Sequence, residues 1–301
     1  MPHDPKPMTM IVDTIAIIGV GLIGGSIGMA AKARGLARRV IGIGRDQRKL
    51  HRAVELAAID SYTTDLLGGA AEADLVFVCT PVMAVVPVIQ AIGGVLKEGA
   101  IVTDVGSTKT EITHGADAAL PPGRSFVGGH PMAGSEADGV ESALPYLFLG
   151  ATYVITPTPA TDVRALNTLV HFAESIGCQV ILMSPEEHDA SAAIISHLPH
   201  VISAAILRQA QEEQDQTGKV FELAAGSFRD MTRVSSSPPE IWVDICMSSK
   251  KAITNAIKHF EEILEEVRQQ IEAGDARAIE KLFVEARQLR ERWIKPTNEE
   301  Q

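Results

Sequence analysis

The stretch TIAIIGVGLIGGS, residues 14–26, decides how the rest of the chain is read. Residues 15–18 are apolar and mostly β-branched, and they run straight into a turn marked by Gly19, Gly21 and Gly24. Small and apolar residues then follow at helical positions as far as Arg34. The pattern predicts a strand, a tight turn and a helix. In such a unit the first glycine permits the sharp turn, the second lets a phosphate approach the backbone, and the third lets helix and strand pack closely. The N–H groups that open the helix, around Leu22 and Ile23, then hold the negative charge. Gly19, Gly21, Leu22, Ile23 and Gly24 are therefore read as a dinucleotide-binding turn, the plainer alternative being a glycine-rich structural turn.

Outward from that unit, buried strands and helices alternate. Strands are expected at residues 40–44, 74–80, 101–105, 125–127, 152–156 and 179–183, and helices at 46–57, 82–95, 109–119 and 162–175. The alternation predicts a parallel, doubly wound Rossmann-type sheet. Past Ser184 strands cease, and Pro185 opens a helix through Ile194, His197 and Ile206. Two longer helices are expected at 239–273 and 275–293, with an apolar stripe at three- and four-residue spacing. The expected division is a dinucleotide-binding α/β domain at 1–183 and an all-helical domain at 184–301. More apolar face than one subunit can bury makes that second domain a candidate dimerisation surface.

The composition narrows the partners. With 301 residues, 46% of them hydrophobic, the chain can bury a large core. A formal net charge of −11 and the lack of any long basic run argue against nucleic acid or an anionic membrane surface. No uninterrupted apolar stretch reaches the length of a membrane span, and the first ten residues lack the basic and apolar regions of a signal peptide. Cys79, Cys178 and Cys246 lie far apart, with no CxxC and no His at metal-ligand spacing, which fits buried thiols in a reducing cytoplasm. The expected substrate is a small molecule, and a few local cations suffice if it is an anion.

The second strand ends in Gly44, Arg45 and Asp46. An acid about 20 residues past the glycines would bind the ribose 2′-hydroxyl of NAD, whereas a small residue followed by Arg suits the 2′-phosphate of NADP. Gly44 and Arg45 favour NADP; Asp46 keeps NAD open, and a solvated loop charge is the plainer reading of Arg45. Ligands of open α/β sheets bind beyond the carboxyl ends of the strands. Three such ends carry Thr80, then Asp104 to Lys109 with Ser107, then Gly128 to Gly134 with His130. His130, between glycines and a proline, gains little from core packing, and a neutral imidazole suits removal of a hydroxyl proton as hydride leaves the same carbon. Ser107 either shares that proton or caps the following helix. His197 and His200, three residues apart, form a substrate wall or a core polar pair; a metal would need a third ligand, and none is suggested. Arg233 suits a bidentate pair with a substrate carboxylate or a surface salt bridge.

With these residues assembled, the chain resembles the prephenate/arogenate dehydrogenase family of tyrosine biosynthesis over residues 14–293. The resemblance rests on GVGLIGGS from Gly19, TDVGSTK from Thr103, FVGGHPMAGSE from Phe126, SPEEHD from Ser184, SHLPH from Ser196, and FRDMTR from Phe228 with IW at Ile241. It implies a dimer formed through the helical domain and an oxidative decarboxylation that makes a cyclohexadienyl ring aromatic. Matched motif by motif, it implies His130 as base and Ser107 as a second partner of the substrate hydroxyl. It further implies Arg233 on a substrate carboxylate, His200 facing the side chain with His197 and Ser196 behind it, and Glu136 near the cleft mouth. Gly44-Arg45 departs from the acid of NAD-using members. A different small-molecule dehydrogenase, of the β-hydroxyacid or imine reductase type, would leave GGHPMAG and SHLPH unexplained. A non-catalytic dinucleotide sensor would predict loss of His130, Ser107 or Arg233.

Overall fold

A computed structural model describes residues 10–134 and 139–294. Strand β1, Val12–Ile18, carries the apolar run of the opening motif, and Ile15 to Ile18 are all buried. It is followed by α1 (Leu22–Ala33), β2 (Ala37–Ile43), α2 (Gln47–Glu55), β3 (Ser61–Thr63), α3 (Leu66–Ala71) and β4 (Leu75–Val78). Next come α4 (Val82–Ile92), β5 (Ile101–Asp104), α5 (Thr110–Ala119), β6 (Ser125–Pro131), β7 (Thr152–Thr156), α6 (Val163–Ser175) and β8 (Gln179–Leu182). All eight strands join one sheet in the order β3-β2-β1-β4-β5-β6-β7-β8.

Strand side chains alternate between two cores, because successive residues of a strand point to opposite faces. Ile15, Ile17, Leu75 and Phe77 share one core with α1 and α6, and Ala16, Ile18, Val76 and Val78 share the other with α4 and α5. Both faces are covered, which is why these strands read as continuous apolar runs. Phe77 stacks obliquely on Phe172, ring centres 4.9 Å apart, and so fastens α6 to β4. The strand order reverses between β1 and β4, which places the usual ligand crevice beyond their carboxyl ends.

Three features differ from the expected sheet, the first being the short edge strand β3, which is not among the expected strands. Strands β1 to β6 are parallel, but β7 runs antiparallel to β6, and β8 pairs parallel with β7. The described part of the β6–β7 connection holds only a short turn at Val140–Ser142, and a parallel return needs a longer crossover, usually a helix. Strand β6 also continues past Val127: it pairs with β5 up to Val127 and then with β7 from Gly128 to Pro131. His130 is thereby on a strand rather than in the loop that its glycine and proline neighbours suggest.

Helix α7, Pro185–Ala192, opens on a capping box in which Ser184 and Glu187 satisfy each other's backbone. A π-helical turn, Ala193–His197, joins it to α8, Leu198–Thr217. Pro199 has no N–H for the Ile195 carbonyl, and the widened turn sits just before it. Then follow α9 (Gly226–Thr232), α10 (Pro239–Ser248), α11 (Lys250–Glu272) and α12 (Ala276–Ile294). The single helix expected at 239–273 is interrupted at Ser249, whose φ of −116° and ψ of 29° leave the helical range. The continuous run Pro185–Thr217, though not apolar without interruption, contains an 18-residue window of mean hydropathy 1.6 and is by length and composition apolar enough to cross a membrane. The same run buries His188, Asp189 and His197, groups that belong to a polar site rather than to a lipid-facing helix.

The chain divides into two compact units, Met1–Ala252 and Ile253–Gln301. The first contains the sheet and the helices through α10. The second contains most of α11 together with α12, where Phe283, Leu289 and Trp293 are exposed.

Candidate active site at the carboxyl edge of the sheet

The opening turn has the geometry that a pyrophosphate needs. Gly19 has φ +95°, and a Cβ there would stand 2.6 Å from the Cys79 carbonyl oxygen. A Cβ on Gly24 would stand 2.4 Å from the Gly19 carbonyl oxygen, so α1 and β1 meet this closely only over a glycine. Gly21, by contrast, has nothing within 4 Å of such an atom. It precedes α1 with no side-chain cap, which leaves the Leu22 and Ile23 end of the helix to an outside acceptor. At the end of β4 the buried Thr80 Oγ1 has no hydrogen-bond partner among the described residues. An open cradle, an uncapped helix and an orphaned hydroxyl side by side fit a dinucleotide.

At the end of β2, Arg45 is exposed, and the Asp46 carboxylate accepts from the backbone of Arg48 at 2.9 Å and Lys49 at 3.3 Å. Asp46 is thus the N-cap of α2.

The polar centre lies where β5, β6 and α7 converge. His130 Nδ1 is 2.8 Å from His188 Nε2, and His188 Nδ1 is 2.8 Å from Asp189 Oδ1. The same Asp189 carboxylate accepts from the backbone N–H of Lys109 at 2.7 Å and of Thr110 at 2.9 Å. It therefore caps α5, the role that Ser107 was a candidate for. Among the described residues, the Ser107 hydroxyl has no partner. Beneath lies a fully buried ion pair, Lys109 with Asp104. The Lys109 ammonium also donates to the Gly129 carbonyl at 2.9 Å, while Asp104 accepts from Gly106 N at 2.8 Å and Gly129 N at 3.2 Å. This pair fixes the backbone on either side of the site: Ser107 follows Gly106, and His130 follows Gly129.

These surroundings set the charges. Loss of hydration, with the nearby His188, Lys109 and His197, pushes the half-buried His130 well below the ordinary histidine value, against a smaller opposing pull from Asp189. Burial would raise the Asp189 carboxyl, but hydrogen bonds from His188, Thr110 and Lys109 hold it below the usual carboxylate range. Burial lowers His197 to about 4, partly offset by Asp189 and by the Ser107 backbone. The centre at neutral pH is thus an uncharged His130 beside an ionised Asp189.

A second wall comes from α8 and α10. His200 stacks on Trp242 with ring centres 3.7 Å apart, and His197 meets the same indole edge-on at 6.4 Å. His200 Nδ1–H donates to the Ser196 carbonyl at 2.9 Å, so Ser196 contributes its backbone. Thr108 and Ser248 hydroxyls, 2.9 Å apart, join this wall to the Ser107 loop. Arg233 is exposed at the end of α9, on a turn that a 2.5 Å Ser203–Ser235 hydrogen bond ties to α8. Glu136 lies outside the described residues.

His188, Asp189, Asp104, Lys109 and Trp242 escaped assignment from sequence, although each stands inside a quoted motif. Their immediate neighbours do not mark them out: His188 and Asp189 follow Glu186 and Glu187, and Lys109 lies between Thr108 and Thr110. The partners that give them meaning are far off in the chain, His188 being 58 residues from His130.

Comparison with known proteins agrees with this geometry. Residues 27–182 match the nucleotide-binding domain of prephenate dehydrogenase, and residues 184–285 match its dimerization domain. Prephenate dehydrogenase of Bacillus subtilis is 35% identical over 285 residues, covering 94% of this chain and 77% of that protein. Synechocystis arogenate dehydrogenase superposes with a TM-score of 0.83 at 31% identity, covering 93% of this chain and all of that one (100%). Prephenate dehydrogenase from Aquifex aeolicus, in a complex with hydroxyphenyl propionate and NAD+, superposes with a TM-score of 0.86 at 31% identity, covering 95% and 99%. A dinucleotide cradle, a buried histidine centre and these likenesses lead to one conclusion: the chain belongs to the prephenate dehydrogenase family of oxidoreductases.

Proposed function

We propose that the protein oxidatively decarboxylates prephenate, arogenate or both, giving 4-hydroxyphenylpyruvate or tyrosine, with His130 as the base. The observation that carries this reading is the uncharged His130 held next to the loop of Ser107 through one shared carboxylate, Asp189. When bound, the nicotinamide supplies the hydride acceptor. His130 takes the hydroxyl proton as hydride leaves the same ring carbon, and returns it to the phenolate oxygen once carbon dioxide has gone. Ser107 hydrogen bonds that hydroxyl. Arg233 holds a substrate carboxylate, and the His200–Trp242 wall, with His197 and Ser196 behind it, faces the side chain. The protein's task is alignment and electrostatics, since aromatisation drives the chemistry.

NADP is the preferred cofactor in this reading, with NAD the alternative. Support comes from the exposed Arg45 after Gly44 and from Asp46, whose carboxylate is engaged in capping α2. The dinucleotide-binding part is placed at 1–183 and the substrate and dimerisation part at 184–301. Exposed Ile194, Ile195, Val243 and Met247 offer an apolar face for a second copy of the chain. Three free thiols fit a cytoplasmic enzyme.

Replacement His130→Asn tests the base. Cofactor affinity is expected to hold while kcat falls by about two to four orders of magnitude, the usual size of a general-base contribution. An unchanged kcat would remove His130 from the mechanism.

A further inference from the structure

Three polar groups in line, His130, His188 and Asp189, carry more information than a buried hydrogen-bond network needs. Asp189 accepts from the Lys109 and Thr110 backbone and is held ionised, so the proton in its 2.8 Å bond to His188 belongs to the imidazole Nδ1. With that proton on Nδ1, a singly protonated His188 presents a bare Nε2. That nitrogen is an acceptor, 2.8 Å from His130 Nδ1, so His130 in turn carries its proton on Nδ1. The lone pair of His130 is thereby left on Nε2, the nitrogen that no protein group engages among the described residues.

We propose that His188 and Asp189 are positioning residues that fix the tautomer of His130, aiming an unprotonated Nε2 at the substrate hydroxyl. The inference rests on His130 being the base. Once His130 Nε2 has taken the hydroxyl proton, the imidazolium shares its charge through Nδ1–H with His188, and His188 through its own Nδ1–H with Asp189. No further proton moves, and the same proton returns to the phenolate oxygen. This is the logic by which a buried carboxylate orients a catalytic imidazole elsewhere, with a second imidazole inserted between them. Inserting it has a structural consequence. Asp189 can stay at the start of α5, where it also sets the loop of Ser107, and still reach His130 on β6. One carboxylate then positions both groups that meet the substrate hydroxyl.

Two measurements test the proposal. In the intact wild-type protein, long-range ¹⁵N–¹H correlation spectra of labelled histidine report the tautomer directly, His130 being assigned by its loss in His130→Asn. The expected result is a protonated Nδ1 and a bare Nε2 for both His130 and His188 near neutral pH. A protonated Nε2 on His130 would overturn the proposal even if His130 proves essential. In parallel, His188→Leu removes the acceptor, while His188→Gln keeps an amide oxygen near the position of imidazole Nε2. For His188→Leu, kcat is expected to fall by about 10²-fold or more with KM and cofactor affinity within about threefold. His188→Gln is expected to recover at least about tenfold of that loss, which a merely structural role would not predict. Equal activities of the two variants, or a His188→Leu enzyme within about threefold of wild type, would sink the relay. Retained activity in His130→Asn would instead sink the base reading beneath it.

Discussion

Replacing Lys109 by Met removes the cation of the buried pair under the site while keeping most of the side-chain volume, so a cavity is not the dominant effect. Lys109 and Asp104 are both fully buried. In the variant the Asp104 carboxylate keeps only the N–H groups of Gly106 at 2.8 Å and Gly129 at 3.2 Å, and the Gly129 carbonyl loses its 2.9 Å donor. Breaking a buried ion pair from one side typically costs about 3–5 kcal/mol, because a desolvated charge is left without its partner. Against a typical total stability of about 5–15 kcal/mol, that is a large fraction. The assay is equilibrium urea unfolding followed by far-ultraviolet circular dichroism, at fixed chain concentration because any association between chains contributes to apparent stability. Restoring neutrality in Asp104→Asn/Lys109→Met is expected to recover part of the loss, since the double variant buries no charge at these two positions. A loss below about 1 kcal/mol in Lys109→Met, or a double variant no better than the single one, would refute the reasoning.

Other consequences follow from the same geometry. His197 has a folded value of about 4 against an ordinary 6.5, so the unfolded chain binds the extra proton between those limits. Its contribution to stability is complete above pH 6.5 and is lost as the pH falls toward 4, by about 3 kcal/mol at about 1.4 kcal/mol per unit. Unfolding curves across this window should be shallower in pH for His197→Gln than for wild type; identical slopes would contradict the burial argument. Arg45→Ala is expected to raise KM for NADP by about tenfold or more and leave NAD nearly unaffected, because the lost group pairs only with the 2′-phosphate. An equal effect on both cofactors would assign Arg45 no discriminating role. Arg233→Ala should mainly raise KM for the substrate, as loss of a ground-state carboxylate contact does. A pure kcat effect would contradict that role.

Much of the fold is legible locally. The β1 run and its glycines announce strand, turn and helix because Gly19 and Gly24 answer nearby requirements, such as the 2.4 Å that a Cβ on Gly24 would leave to the Gly19 carbonyl oxygen. Both-face burial makes β4 and β5 readable as apolar runs for the same local reason. The direction of β7 is not written in its own five residues; it depends on a connection whose described part holds no crossover helix. Residues 61–63 and 66–71 escape notice because a three-residue edge strand and a Gly- and Ala-rich helix carry little periodicity. The break at Ser249 is equally silent, since apolar spacing continues across it.

The site divides in the same way. His130 stands out because an imidazole among glycines has no packing reason to be there. His188 and Asp189 look like the first turn of an ordinary capped helix, and their function exists only when β6 and α5 arrive beside them. Lys109 reads as a helix-start cation, yet it is fully buried, and only the Asp104 carboxylate five residues earlier explains why. Ser107 was equally a cap and a substrate partner by sequence. Asp189 takes the cap, which frees the hydroxyl.

The most direct test of the account is turnover by the purified protein with the four pairings of prephenate or arogenate with NAD or NADP, read from the absorbance of the reduced nicotinamide. The account predicts reduction of the cofactor with at least one of the two substrates, faster with NADP than with NAD. No turnover in any pairing, with the cofactor still bound, would contradict it.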